Sequence, residues 1–318
     1  MVDFTVAIPT YNGAQRLPLV LERLRSQTET DLVSWEVIVI DNNSKDNTSA
    51  VVQKYQQDWP DVFPLKYYFE SQQGLVFARQ RAIKEAKGSL VGFLDDDNLP
   101  AEDWVAAAAA FGSKYPKAGA YGGQIHGDFE INPPKNFQRI KSFLSIRELG
   151  SEPKLYRPEV LNLPPGAALV VRREAWLKSV PNTPALIGRI NGSMLSGEDY
   201  ESLLYLHKAG WKIWYNPAMH TYHQIPKSRL ERDYLISLAK GVGLCIAPLR
   251  IVNAKNWQKP MILSRIILGN LRRATLHWIK HREQLETDTI AACEMEFFLS
   301  SLVSPFYLLR GVIAGSRD

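Results

Sequence analysis

Apolar residues in the first hundred positions follow two alternating rhythms. Phe4, Val6 and Ile8 are spaced two apart and give way to Pro9-Thr10-Tyr11-Asn12, which predicts a strand with a polar end. Leu17, Val20, Leu21 and Leu24 then recur at the spacing of one helix face. Residues 35–40 are almost continuously apolar, as in a strand buried on both faces. They run into Asp41 and a stretch to Thr48 rich in helix N-cap residues, so a helix is expected to about Tyr55. Residues 65–69 predict a third strand and 76–86 another helix. A fourth strand, 88–94, ends abruptly in Asp95-Asp96-Asp97. Strand and helix alternating in this order imply a parallel sheet with right-handed crossovers.

A parallel sheet brings the polar ends of its strands to one edge, where open α/β sheets bind ligands. Thr10, Tyr11 and Asn12, then Asp41, then the three aspartates would converge there. Three adjacent carboxylates repel one another unless a cation neutralises them, and a hard divalent ion shares such oxygens with substrate phosphates. The alternative reading of the trio is an exposed acidic turn. No Gly-x-Gly-x-x-Gly follows the first strand and no phosphate-binding Gly-x-x-x-x-Gly-Lys-Ser/Thr loop occurs, which argues against a dinucleotide dehydrogenase or a P-loop enzyme.

Composition changes this picture only modestly. With 45% hydrophobic and 22% charged residues, the 318-residue chain is typical of globular proteins. Cys245 and Cys293 are too few for a disulfide framework or a four-sulfur zinc site, so a reducing compartment is expected. No basic region precedes the first apolar run, so no secretory leader is expected. The net charge is +5, unevenly spread: residues 234–282 hold nine Lys and Arg and no Asp or Glu, pointing to an anionic partner.

Several motifs together carry a family resemblance. Pro9-Thr10-Tyr11-Asn12, the run from Asp41 to Thr48, Gly74 with Ala78-Arg79, and Leu94 to Asp97 stand in the order seen in family 2 glycosyltransferases. Gly166-Ala167-Ala168, Arg172-Arg173-Glu174, Gly197-Glu198-Asp199-Tyr200, Gly210 and residues 215–218 continue the match, over roughly residues 3 to 225. More narrowly, the opening resembles cyanobacterial glycosyltransferases that build an extracellular (hormogonium) polysaccharide.

The resemblance implies a GT-A fold, a mainly parallel sheet flanked by helices, and transfer of a sugar from a nucleotide donor, UDP-linked by expectation. Its donor-binding residues would be Pro9, Thr10, Tyr11, Asn12, Asp41, Gly74, Arg79, Asp95 and Asp96. Asp41 would accept from the base, Asp95 would approach the ribose and Asp97 would bind Mn²⁺ or Mg²⁺. Gln80 departs from the family's Asn after Arg79. The family's base implies Asp199, with Glu198 contacting the acceptor or positioning the base, and inversion at the anomeric carbon. Without the resemblance, Ser196-Gly197-Glu198-Asp199 reads equally as a helix start, where acids are favoured. Related enzymes place a metal-binding His after the strand expected at 211–215. Spacing from Pro217 favours His223, with His220 second, against the alternative of surface or core histidines. Pro164-Pro165-Gly166 reads either as a close approach to a sugar or as a plain turn, and Trp104, Trp176, Trp211 and Trp214 as core more than as sugar platforms.

The expected organisation is a catalytic domain over 1–225, its nucleotide-binding half about 1–100 and its acceptor-binding half about 101–225. A basic helical extension would follow over 226–318. In that extension, residues 261–271 are too short to span a bilayer and 297–314 are interrupted by Pro305 and Arg310. Basic amphipathic helices fit an anionic membrane surface, as against packing on the catalytic domain or a dimer. No motif supports nucleic acid as the partner. The expectation is a cytoplasmic enzyme, peripheral on the inner face of the plasma membrane, acting on a glycan or lipid-linked acceptor in polysaccharide synthesis. The rival readings are a sugar-nucleotide-binding scaffold without turnover and a different nucleotide-dependent enzyme.

Overall fold

In a computed structural model, which describes residues 2–182, 186, 194–195 and 197–314, the N-terminal half alternates as its hydrophobic pattern predicts. β1 (Phe4–Thr10), α1 (Leu17–Arg25), β2 (Trp35–Asp41), α2 (Thr48–Gln57), β3 (Leu65–Phe69), α3 (Leu75–Glu85) and β4 (Leu90–Phe93) follow in order. Every residue of β1, β2 and β4 is buried, and α1 turns Leu17, Val20, Leu21 and Leu24 onto the sheet. The next elements are β5 (Asn98–Pro100), α4 (Trp104–Lys114), β6 (Ala118–Phe129), β7 (Lys154–Leu155), β8 (Leu169–Arg172), α5 (Arg173–Ser179), α6 (Glu198–Lys208) and β9 (Lys212–Ile225).

Together they form a nine-stranded sheet in the order β3-β2-β1-β4-β8-β6-β9-β5, with β7 paired to β9. Pairing is parallel from β3 through β4. It turns antiparallel at β4–β8, and β6–β8, β5–β9 and β7–β9 are antiparallel as well. The parallel arrangement therefore ends at β4. Trp104 and Trp176 are buried in the core and Trp214 packs against it, as expected for core aromatics.

The chain divides into two compact units. Met1–Asp128, Ser145–Ile187 and Glu198–Gln224 form one, which carries the sheet; Phe129–Leu144, Gly188–Gly197 and Ile225–Asp318 form the other. The second is helical, with α7 (Arg232–Leu244), α8 (Ile246–Ile251), α9 (Lys259–His281) and α10 (Thr289–Ala314), and it takes in two segments from the first 225 residues. Inside it α10 packs along α7 and α9. A Cβ on Gly243 of α7 would strike the Ser300 hydroxyl of α10, so the glycine is what permits this close approach. Among the described residues Arg232–Ile251 is the one stretch long and apolar enough to cross a membrane, with a mean hydropathy of 1.4, and half of it is buried within the protein.

Candidate active site

The C-terminal ends of β1, β2 and β4 gather their polar residues at one edge of the sheet, because parallel register sets Thr10 beside Asp41 and Ala7 beside Phe93, two residues before Asp95. After β1 the backbone turns through Asn12, whose φ of 49° is one that Asn tolerates better than most residues. Asn12 N–H donates to Ser44 Oγ at 2.9 Å, and Lys45 N–H donates to Asn12 Oδ1 at 2.8 Å. The two strand-end loops are thus laced together. Asp41 is buried at the end of β2; its carboxylate accepts from Ser44 N–H at 2.9 Å and from the Tyr67 hydroxyl at 2.7 Å. Burial and the Asp41 charge hold the Tyr67 phenol above its ordinary pKa, so it remains a donor. Gly74, at φ 138°, opens α3 and donates its N–H to Asn42 Oδ1 at 2.7 Å. Pro9 lies within β1, and Tyr11, half exposed, offers its ring at the same edge.

The three aspartates have different partners. Asp96 accepts from the Thr10 hydroxyl at 2.5 Å and from Arg16 Nε and Nη2 at 2.8 and 3.0 Å. Both of its oxygens are engaged, so Asp96 and Thr10 tie β4 to β1 within the group of residues expected to bind the donor. Asp97 lies beside His223, its Oδ2 3.6 Å from Nε2, and it accepts from Asn98 Nδ2 at 2.7 Å. The antiparallel register, Asn98 opposite His223, makes this meeting. His220 is three residues away on the same strand, an odd separation that turns it to the opposite face. There it meets His126 instead, Nδ1 to Nε2 at 3.0 Å, while His126 Nδ1 lies 3.0 Å from Glu148. His220 is therefore not brought to Asp97.

Asp95 faces the third cluster. Arg79, buried on α3, lies 3.4 Å from Asp95 and 4.0 Å from Glu198, and is ion-paired with Asp199. One guanidinium thus sits among three carboxylates. Asp199 also accepts from Gly166 N–H at 2.9 Å, and a Cβ on Gly166 would strike that carboxylate and the guanidinium. The glycine admits Asp199, a tighter role than either the sugar approach or the plain turn that its sequence suggested. Glu198 and Asp199 open α6, as the helix-start reading has it; Ser196 lies outside the described residues. Glu198 Oε2 is buried without a hydrogen-bond partner among the described residues, an unmet acceptor facing this cluster. Sequence reasoning missed Tyr67 and Arg16. An alternating strand gives no sign of which tyrosine meets an acid on its neighbour, and Arg16 precedes a helix with no motif of its own.

A divalent cation fits the Asp97–His223 pair. Two neighbouring ligands of an octahedral Mg²⁺-sized ion stand about 3 Å apart, close to the spacing found. Burial pushes the Asp95 carboxyl up against the opposing pull of Arg79, and the adjacent Asp97 and Asp96 push it the same way, an excess of negative charge that a cation would relieve. Asn98 Oδ1, buried and without a hydrogen-bond partner among the described residues, is a further oxygen beside Asp97. Among the described residues no group of three or more His, Cys, Asp or Glu is placed to hold an ion.

Residues 5–176, more than half of the chain, match the model of Glycosyl transferase family 2. The chain belongs to that family. It is 37% identical over 102 residues to the uncharacterized glycosyltransferase YfnE of Bacillus subtilis, covering 32% of this chain and 25% of the relative. It is 34% identical over 100 residues to the GalNAc(5)-diNAcBac-PP-undecaprenol beta-1,3-glucosyltransferase of Campylobacter jejuni, covering 31% of this chain and 30% of the relative. The matched part thus spans a quarter to a third of the length of these curated relatives. In three dimensions it resembles the mannosyltransferase PcManGT from Pyrobaculum calidifontis, solved in complex with GDP-Man and Mn²⁺. That likeness has a TM-score of 0.60 at 19% identity and covers 96% of this chain and 87% of the other. The fold of this family 2 member is of the GT-A type, with a helical C-terminal region.

Proposed function

We propose that this family 2 glycosyltransferase transfers a sugar from a nucleoside-diphosphate donor, UDP-linked, to a hydroxyl of a glycan or lipid-linked acceptor, with inversion and with a divalent cation. The observation that carries the reading is the convergence of Asp41, Asp95, Asp97 with His223, and Asp199 with Arg79 on the sheet unit. Asp41 keeps acceptor capacity beyond its bonds from Ser44 and Tyr67, enough to receive an N–H of the base. Tyr11 offers a half-exposed ring beside it. Asp97 and His223 would hold the cation, which when bound offsets charge on the departing diphosphate.

Asp199 serves as the base. It takes the proton of the acceptor hydroxyl as that oxygen bonds to the anomeric carbon and the carbon–phosphate-oxygen bond breaks, releasing the nucleoside diphosphate. Arg79 and Gly166 N–H hold the carboxylate in place, and Glu198, with its unmet oxygen, orients the acceptor. The GDP-mannose complex of the structural neighbour and the undecaprenol-linked substrate in the name of the Campylobacter relative support a nucleotide sugar and a lipid-linked acceptor as classes. Nucleotide release should be measured from panels of UDP- and GDP-sugars with and without Mn²⁺. Metal-dependent release from a UDP-sugar supports the reading. Preference for GDP-sugars would overturn the role given to the base, and binding without turnover would favour a scaffold.

A further inference from the structure

The helical unit contains a helix whose apolar residues lie on the wrong side for a water-facing surface. α9 turns only Ile266, Asn270, Ala274 and His277 inward, and two of these four are polar. Asn270 donates to Ile266 O at 2.9 Å, and His277 Nε2 lies 2.9 Å from Ala291 O. The second contact reaches α10 and commits that face to the interior. The larger side chains point out: Leu268 is 66% exposed, Ile279 62%, and Met261, Leu271, Leu276 and Trp278 are exposed as well. At 100° per residue Met261, Leu268 and Ile279 fall within about 20° of one another, on the side of the helix opposite Ile266. α10 repeats the feature, with Leu299, Val303, Phe306 and Tyr307 exposed at helical spacing. A surface of this kind marks an interaction site.

The charges select the partner. Arg265 and Arg272 are exposed on the flank of the outer α9 stripe, and no acid occurs between Tyr234 and Arg282. A second copy docked by a two-fold axis would set this basic stripe against itself with no carboxylate of its own to answer it. Large aliphatics flanked by arginine match the interface of a bilayer, where apolar side chains enter the acyl boundary and basic ones meet anionic headgroups.

We infer that the outer face of α9, continued by the exposed residues of α10, docks this protein on an anionic lipid bilayer. The inference rests on the helical unit alone and does not depend on the donor, the metal or the base.

The test uses the whole chain, sedimented with phosphatidylcholine vesicles that either contain phosphatidylglycerol or lack it, at low and high salt. Binding is expected on the anionic vesicles and should fall as salt rises, since attraction to the headgroups is screened beyond a Debye length. Leu268→Gln with Leu276→Gln and Ile279→Gln should lower the affinity by about tenfold or more, because these side chains would otherwise leave water. Arg265→Gln with Arg272→Gln should cost about fivefold for each arginine and weaken the salt dependence. All five positions are exposed, and unchanged melting and circular dichroism would verify that the variants fold. Equal binding to neutral and anionic vesicles, or variants that bind as the parent does, would overturn the inference. A concentration-dependent dimer that the leucine and isoleucine changes dissolve, with no vesicle binding, would overturn it too and assign the face to a second copy.

Discussion

The sheet unit and the helical unit concentrate opposite charges by different means. At the strand ends acids come from distant points in the chain, Asp41, Asp95, Asp97 and Asp199, and each is tied to a partner: Tyr67, Arg79, His223 or a backbone N–H. Along α9 the basic residues belong to one helix, and Arg265 and Arg272 flank large exposed aliphatics. The first arrangement holds its groups at set distances from one another. The second is a surface, with area and sign but few fixed distances. A reacting centre needs the former, because misplacing a catalytic group by about 1 Å can cost about a hundredfold. An extended partner can be met by the latter.

The largest effect expected of any single change lies in the first region. Asp199→Asn keeps the shape and can still accept from Gly166 N–H, but it cannot take a proton. Transfer should fall by about a hundredfold or more while donor affinity stays nearly constant. Steady-state transfer together with calorimetric donor titration reads both quantities. A variant that transfers at near the parent rate would shift the base to Glu198 and break the assignment of roles around Arg79.

Much of this region was legible beforehand for one physical reason. A strand has a direction, and in parallel pairing that direction fixes which end of each strand shares an edge, so Asp41 and Asp95 could be placed together without knowing any side-chain contact. One feature resisted. The different fates of Asp95, Asp96 and Asp97 depend on turn geometry within three residues and on Arg16, which no periodicity signals. The spacing from Pro217 favoured His223 over His220, but not the extent of β9, a strand that runs fourteen residues, far beyond the segment at 211–215 that the pattern marked. The helical unit resisted more. A helix with apolar residues on two sides offers two candidate inward faces, and α9 uses the smaller, more polar one. The inclusion of 129–144 in that unit likewise has no local signal, since it arises from tertiary contacts.

The next effect concerns the cation. Asp97→Ala removes one of the protein groups suited to hold it and leaves His223 and Asn98 in place. Calorimetry with UDP should lose most of the gain in affinity that Mn²⁺ confers, about tenfold or more, while binding without metal changes little. Metal-dependent affinity equal to that of the parent would remove Asp97 from the site and leave Asp95 as the alternative.

A third change separates folding from chemistry within the same unit. Glu36 is buried in β2, where it accepts from Thr5, from Lys66 and from Lys87 N–H. Burial opposes its ionisation, yet these three donors outweigh burial and hold the carboxyl below its ordinary pKa. A carboxylate depressed in the folded state adds stability that is present above its unfolded value, about 4.3. That contribution is lost as pH falls through the lower, folded value. Glu36→Gln should therefore cost about 2 kcal/mol near neutrality and flatten the acid limb of a stability–pH curve. Urea unfolding across that range reads it. A loss that is the same at every pH would mean that shape, and not charge, is what Glu36 contributes.

The smallest expected effect tests how Asp41 is aimed. Tyr67 donates to one Asp41 oxygen and Ser44 N–H to the other, so the carboxylate is fixed in orientation but retains lone pairs toward the sheet edge. Tyr67→Phe keeps the ring, which is only partly buried, and removes the hydroxyl. Loss of one charge-assisted hydrogen bond without a cavity should weaken donor binding by roughly threefold to tenfold, equivalent to about 0.7–1.4 kcal/mol. Because the hydroxyl holds Asp41 and touches neither the acceptor nor Asp199, the change should appear in the KM for the donor and leave kcat within about twofold. Phe is the informative replacement, since Ala would also open space beside β2. A fall in kcat with unchanged KM would mean that Tyr67 acts on the transferred group and not through Asp41, and the sheet edge would then need a different division between the part that holds the nucleotide and the part that performs the transfer.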